Sequence, residues 1–275
     1  MLTRIITGVV GIALATFVIQ TGGTLFAVAG LLLALGAWYE YCRAFRQKGL
    51  NPATLIGGIL IAVMWASGWL GNSAILTGSL MLSALVIMLI TVFQHDSFDV
   101  MSAGVSVTGV FYIGLAFVHL VMLRFAGGET VIPTSLGDFQ MGCAFIWVAL
   151  IGTWASDTFA YFAGCAMGRH KLCEKISPKK TIEGFIGGLI GTTASVAGLG
   201  VFFGFNVPLM AVLGMVICII ATLGDLVESV VKRYTGIKDS GNIIPGHGGI
   251  WDRFDSVIYT APFVYYFMYF TMIAG

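Results

Sequence analysis

The chain has 275 residues, 58% of them hydrophobic and only 10% charged, with a formal net charge of +1. A soluble domain carries roughly 25% charged residues, so a water-soluble globular protein is excluded and an integral membrane protein is expected. The net charge says little about partners, and no nucleic-acid partner is expected. Cys42, Cys143, Cys165, Cys173 and Cys218 are scattered, mostly in apolar segments and without a CxxC or Cys/His spacing. They read as small core hydrophobes, not as a zinc site or a disulfide framework.

A membrane-crossing helix needs about 20 predominantly apolar residues. In chain order such runs fall at roughly 4–21, 24–42, 53–71, 74–94, 102–123, 140–166, 182–203, 207–227 and 256–273. The expected fold class is all-α, a polytopic integral membrane protein of about nine spans with one polar, cytoplasm-facing site. The first run looks like a signal peptide, but no clear small-x-small cleavage site ends it and more spans follow, so it reads as a retained span. Residues 1–138, with spans one to five, read as a scaffold offering lipid access or dimer contacts, and residues 139–275 as the catalytic region. In span seven, Gly184, Gly187, Gly188 and Gly191 have the small-residue spacing of tight helix packing, and Gly198, Gly200 and Gly204 read the same way.

Orientation follows from lysine and arginine. With nine spans and the N-terminus inside, Arg124 is the one basic residue of fourteen placed outside. The inner side receives Arg4, Arg43, Arg46, Lys48, Arg169, Lys171, Lys175, Lys179, Lys180, Lys232, Arg233, Lys238 and Arg253. Loops 167–181 and 228–255 therefore face the cytoplasm and Gly275 lies outside. A substrate met at those loops is cytoplasmic, as a nucleotide is.

The stretch Ser229–Asp255 puts nine ionisable residues and six glycines or prolines into 27 positions. Its residue types suit phosphate and divalent metal: carboxylates for the metal, Lys and Arg for phosphate oxygens, glycines for close backbone approach. Just upstream, Asp225 and Glu228 are three apart and share a helix face that Ser229 and Lys232 extend. Asp252 and Asp255 repeat the spacing where the last span begins, and Asp157 sits inside span six. Singly these acids have plainer readings. Asp252 and Asp255 suit helix capping, Asp225 suits an ion pair with Lys232 or Arg233, and Asp157 suits a bond to a hydroxyl. Together, acids converging on one membrane face are better explained as a hard-cation site for Mg²⁺.

In Lys175–Gly184, Pro178 is expected to set a turn, with Lys179 and Lys180 preceding a helix that opens near Thr181. Amides at a helix start plus two lysines make an anion site, and Glu183 holds a lysine or faces the metal. The alternative is that these lysines only fix topology. His247 contacts phosphate or the leaving group, or is structural; Lys238 and Asp239 form a local ion pair or touch the nucleotide. Trp38, Tyr39, Tyr41, Tyr234 and Trp251 sit near predicted span ends, where such rings are favoured.

Ser229-x-x-Lys232-Arg233, then Lys238-Asp239, His247-Gly248-Gly249 and Asp252-Arg253-x-Asp255 together resemble the signature of the phosphatidate cytidylyltransferases, the CDP-diacylglycerol synthases. Gly224-Asp225-Leu226-x-Glu228-Ser229, Ser156-Asp157-Thr158 and Ser177-Pro178-Lys179-Lys180-Thr181-x-Glu183-Gly184 are similar to that family too. The likeness covers about half of the chain, from span six onward. It implies that CTP and phosphatidic acid give CDP-diacylglycerol and pyrophosphate with Mg²⁺, in a dimer of polytopic subunits in a bacterial inner membrane. It implies metal held by Asp225 and Asp252, with Asp157, Glu228 and Asp255 in the candidate set and a second cation allowed for. Lys179, Lys180, Lys232 and Arg253 would stabilise phosphate charge. His247, Glu183, Ser229, Arg233, Lys238, Asp239, Gly248 and Gly249 complete the expected nucleotide and catalytic contacts. A CTP-dependent polyprenol or phytol kinase is the second reading, separated by its release of CDP instead of pyrophosphate. An ion-coupled transporter is the third, disfavoured because the polar groups cluster on one face.

Overall fold

The structure is a computed structural model that describes residues 2–243 and 248–273, with side chains described from residue 7 onward. The N-terminal helices are α1 (Leu2–Thr21), α2 (Gly23–Gln47), α3 (Thr54–Trp69), α4 (Ser73–Phe93) and α5 (Val100–Gly109). A π-helical turn, Val110–Leu115, leads into α6 (Ala116–Phe125). A short hairpin, β1 (Val131–Thr134) and β2 (Gly137–Gln140), precedes α7 (Met141–Met167). A second hairpin, β3 (Lys171–Cys173) and β4 (Ser177–Thr181), precedes α8 (Ile182–Phe203), α9 (Val207–Thr235) and α10 (Trp251–Met268).

The protein is an all-α polytopic membrane protein. Among the described residues seven helices are long and apolar enough to cross a membrane, while Thr7–Thr21 and Thr54–Trp69 are apolar but shorter. These nine elements occupy the nine expected runs, but the 16 residues of α3 reach only about 24 Å, against a hydrocarbon core of about 30 Å. Helix α4 shows the membrane logic directly. Met81, Leu85, Leu89 and Phe93 form an exposed stripe four residues apart, and Ser79 and Ser83 are buried. That polarity is the inverse of a soluble helix.

The chain forms two compact units, Met1–Met122 with Val231–Phe254 and Leu123–Val230 with Asp255–Gly275. In the first, α2 packs on α3 and on the π-helical turn. The Trp38 indole donates to the Thr54 carbonyl at 2.8 Å and lies against Gly57 and Gly109, where a side chain would collide with its ring. The Ser102 and Ser106 hydroxyls accept the amides of Asn51 and Ala53, fastening the α2–α3 turn to α5. In the second unit α7 packs extensively on α8. A Cβ at Gly187 would meet that of Ala163, and one at Gly191 the ring of Phe159, so these glycines serve the close packing expected of them.

Three local expectations change. Pro178 lies within β4, where it was expected to set a turn; a two-stranded ribbon consists of edges, which tolerate a missing N–H. Helix α9 runs on to Thr235, well past the apolar run, because helicity does not require hydrophobicity. It stops at Gly236 with φ 78°, where the Ile237 amide donates back to the Lys232 carbonyl at 3.1 Å. Gly204 is the left-handed cap of α8 with φ 69°, and Gly198 faces open space, so neither serves packing.

Candidate active site

In the second unit, α9 carries Asp225 and Glu228 and α10 carries Asp255. These three carboxylates each offer an oxygen within 4.8 Å of the others. The approach depends on Gly224. A Cβ there would lie 2.8 Å from the Asp255 carbonyl oxygen and 3.1 Å from Ser256 Cα, so only glycine lets the two backbones come this close. The Ser256 hydroxyl donates to the Ala221 carbonyl at 3.1 Å and locks the contact. A second tie, Thr153 Oγ1 to Thr260 Oγ1 at 2.8 Å, joins α7 to α10.

Glu228 is 1% exposed. Two carboxylates 4.8 Å apart repel by about 3.5 kcal/mol at an effective dielectric constant of about 20, so the group needs positive charge. Lys180 offsets part of it, with Nζ 2.7 Å from Asp225 Oδ2. Ser229 donates to the other Asp225 oxygen at 3.3 Å and fixes its rotation. An all-carboxylate oxygen set of this size fits a hard divalent cation such as Mg²⁺.

The first unit holds a different arrangement around Asp252. Its side chain is 5% exposed and takes the Lys232 ammonium at 3.0 Å. It also accepts the amides of Ser240 and Gly249, each at 2.9 Å. The Gly249 contact caps the start of α10, whereas the Ser240 amide and the Lys232 ammonium tie Asp252 to a loop and to α9. Beside it, Glu40 of α2, 1% exposed, accepts the Ser240 hydroxyl and the amides of Ile250 and Trp251.

The model of the Cytidylyltransferase family matches residues 2–271. The chain belongs to the cytidylyltransferase family. It is 36% identical to a phosphatidate cytidylyltransferase of Synechocystis over 96% of this chain and 95% of that one. It is 33% identical to the protein of that name from Staphylococcus saprophyticus over 95% of this chain and 96% of that one. The protein of that name from Staphylococcus aureus strain COL is 34% identical over the same shares.

Within this cytidylyltransferase-family chain the expected residues separate. Asp225, Glu228 and Asp255 come together with Lys180 and Ser229. Asp157 is exposed on α7 and is not one of the three acids grouped there. Lys179, adjacent to Lys180 in β4, is exposed, and neighbouring strand residues point to opposite faces. Glu183, expected to hold a lysine or face the metal, instead accepts the amides of Arg169 and His170 and the His170 ring nitrogen. It fastens the start of the β3–β4 hairpin, and Thr181 caps α8 by accepting the Gly184 amide at 3.1 Å. Arg233, Lys238, Asp239 and Arg253 are exposed, Gly248 takes φ 86°, and Gly249 is buried. His247 and Gly275 lie outside the described residues.

Glu40 is the residue that sequence reasoning missed. The signal was present: an acid inside the expected apolar run 24–42 is a functional candidate by the reasoning that singled out Asp157. Its partners, two hundred positions away, left no trace in local pattern.

Proposed function

We propose that this chain is a phosphatidate cytidylyltransferase, acting on CTP and phosphatidic acid at the cytoplasmic face of a bacterial inner membrane. The observation that carries the reading is the Asp225–Glu228–Asp255 group with Lys180 on Asp225, in a chain aligned nearly end to end with relatives of that name. Thirteen of the fourteen basic residues on one side of the expected spans support the orientation. The proposed assembly is a homodimer, as the sequence resemblance implies.

An oxygen of the lipid phosphate forms a bond to the α-phosphorus of CTP. The bond from that phosphorus to the oxygen bridging to the β-phosphate breaks, and pyrophosphate leaves. A phosphate monoester is already largely ionised at pH 7, its second pKa being about 6, so the attack requires no general base. Asp225, Glu228 and Asp255 would hold Mg²⁺, and the same acidic surroundings would accommodate a second cation. A cation held there would supply charge neutralisation to the reacting phosphates. Lys180, paired with Asp225, directs its remaining N–H donors to phosphate oxygens. Exposed Lys179, Arg233 and Arg253 offer further donors, Lys238 and Asp239 meet the nucleotide, and His247 meets the leaving group. Asp252, held by Lys232, fastens the backbone at Ser240 and Gly249.

The test is product analysis. Purified protein in nanodiscs containing phosphatidic acid receives Mg²⁺ and CTP labelled at the α-phosphate. Equimolar labelled CDP-diacylglycerol and pyrophosphate are expected. Release of CDP with phosphorylation of a lipid alcohol would replace this reading with the kinase one.

A further inference from the structure

Arg43, Arg46 and Lys48, all exposed at the end of α2, take no part in the chemistry above. Basic residues there suit the helix dipole and fix topology, and both roles need charge alone. Depth adds a further constraint. The expected apolar run ends at residue 42, while α2 goes on to Gln47 with Lys48 as its cap. Arg43 to Lys48 covers about 7.5 Å at about 1.5 Å per residue. The headgroup layer on each side of a bilayer is about 5–8 Å thick. The basic turn therefore spans that layer. Tyr39, one turn before Arg43 and 50% exposed, marks its inner edge, where such rings are favoured.

A ring from a distant part of the sequence is brought to the same place. Tyr234, in the last turn of α9, packs on Phe45 with ring centroids 6.1 Å apart, and the Lys48 ammonium lies 5.2 Å from its ring centre. Tyr234 is still half exposed, so it offers an amphipathic face beside a cation. On another flank Arg43 and Gln47, one turn apart, line a cleft with Ile237 and residues 239–242. All of these residues belong to the first unit. The acids around them are few. Asp239 borders the cleft. In the 94–99 loop, which Asn51 ties to this end through the Ser97 carbonyl, Asp96 meets His95 at 3.1 Å and Asp99 accepts the Ser102 amide at 2.7 Å. Among the described residues no acid forms an ion pair with Arg43, Arg46 or Lys48.

We propose that this end of α2, with Arg43, Arg46, Lys48 and Tyr234, is a docking surface for the headgroups of anionic phospholipids. The guanidinium forks of Arg43 and Arg46 match phosphate oxygens in pairs, and Lys48 adds a point charge. Basic residues just outside a membrane span attract anionic lipid, and their reach falls off within a Debye length. The depth of the turn selects a lipid as the occupant, because a surface inside the headgroup layer meets lipid phosphates before any soluble anion. The inference holds whatever reaction the chain catalyses.

The test uses the full chain in a neutral detergent with equal amounts of phosphatidylglycerol and phosphatidylcholine of the same acyl chains. Native mass spectrometry reads which lipid stays on the singly lipidated protein. Wild type is expected to retain phosphatidylglycerol in preference. Arg43→Gln and Lys48→Gln should each lower that preference about fivefold, and Tyr234→Leu about threefold. Arg46 is left in place because it also donates to the Thr54 hydroxyl at 2.5 Å. The control is Arg169→Gln with Lys171→Gln, which removes two exposed charges outside this surface; it should change the preference less than about twofold. Excess inorganic phosphate should leave the bound phosphatidylglycerol in place. Equal retention of the two lipids by wild type overturns the proposal, as does a control that loses as much preference as Arg43→Gln with Lys48→Gln. Displacement by inorganic phosphate overturns the lipid assignment in favour of a free-anion site. If the arginine and lysine variants fail to fold, an unchanged preference in Tyr234→Leu overturns it.

Discussion

Replacing Gly224 by alanine tests whether helix approach builds the carboxylate group. The added Cβ would sit 2.8 Å from the Asp255 carbonyl oxygen, 3.0 Å from Tyr259 Cδ2 and 3.1 Å from Ser256 Cα. Comfortable non-bonded carbon separations are about 3.5–4.0 Å, and two of the three obstacles are backbone, which cannot swing aside. Helix α10 must therefore retreat by roughly 0.5–1 Å. Overpacking of this kind costs about 1–3 kcal/mol, and losing the Ser256–Ala221 bond costs about 1 kcal/mol more. Alanine returns up to about 1 kcal/mol of helix propensity, so the net loss of stability is about 1–3 kcal/mol. The functional loss should be larger. Mg²⁺ demands near-ideal octahedral ligands, and a displacement of about 1 Å costs on the order of 100-fold in rate. The assay is formation of labelled CDP-diacylglycerol across a Mg²⁺ titration, beside thermal unfolding in the same nanodiscs. Gly198→Ala is the control: no atom lies within 4 Å of its Cβ, so it shares the propensity gain without the collision. A Gly224→Ala protein with wild-type turnover and Mg²⁺ half-saturation would refute the argument that this close approach assembles the site.

Glu228→Gln and Asp255→Asn should each lower turnover on the order of 100-fold or more and weaken Mn²⁺ binding measured by calorimetry, because both belong to the carboxylate group. Asp252→Asn should also lose activity but keep Mn²⁺ affinity, since its oxygens are taken by Lys232, Ser240 and Gly249; lost Mn²⁺ binding would return Asp252 to the metal. Lys180→Ala should raise KM for CTP on the order of tenfold or more while Lys179→Ala changes it less than threefold, because only Lys180 pairs with Asp225. Equal effects would reassign the pair to general surface charge. Single cysteines at Ser177 and Asp239, in a background without native cysteines, should resist an impermeant maleimide in intact cells, and a cysteine at Gly275 should react. External labelling at 177 or 239 would overturn the orientation.

Much of the fold was legible because a membrane imposes one dominant rule, the long apolar run, and each run did become a helix. The two hairpins were not legible. Segments of three to five residues such as Lys171–Cys173 and Ser177–Thr181 carry too few positions for a strand period to emerge. The end of α9 was missed for a different reason. Glu228, Ser229, Lys232 and Arg233 break the apolar run but not the helix, and the stop comes from the backbone freedom of Gly236. Within the candidate site, the Asp225–Glu228 pairing followed from spacing alone, since three residues along a helix nearly complete a turn. The partner helix, the use of Gly224 as a contact point and the choice of Lys180 over Lys179 depend on tertiary packing, which spacing cannot express.

Asp252 and Asp255 show where pattern reasoning reaches its limit. Identical in type, three apart and one turn into the same helix, they invite a single role. Their surroundings divide them. Asp252 meets two free amides and an ammonium, which together satisfy an anion without any metal. Asp255 accepts the Ser256 amide at 2.6 Å and lies beside two other carboxylates, whose mutual repulsion a bound cation would relieve. The same residue type is therefore a fastener at one position and a ligand candidate at the other, and the neighbours decide which. Glu40 and Glu228, both 1% exposed, divide in the same way. Glu40 is surrounded by donors and holds a loop, and Glu228 stands among acids beside Lys180's partner. In a protein whose interior is poor in charge, a buried acid's function can be read from whether its neighbours donate protons or compete with it for positive charge.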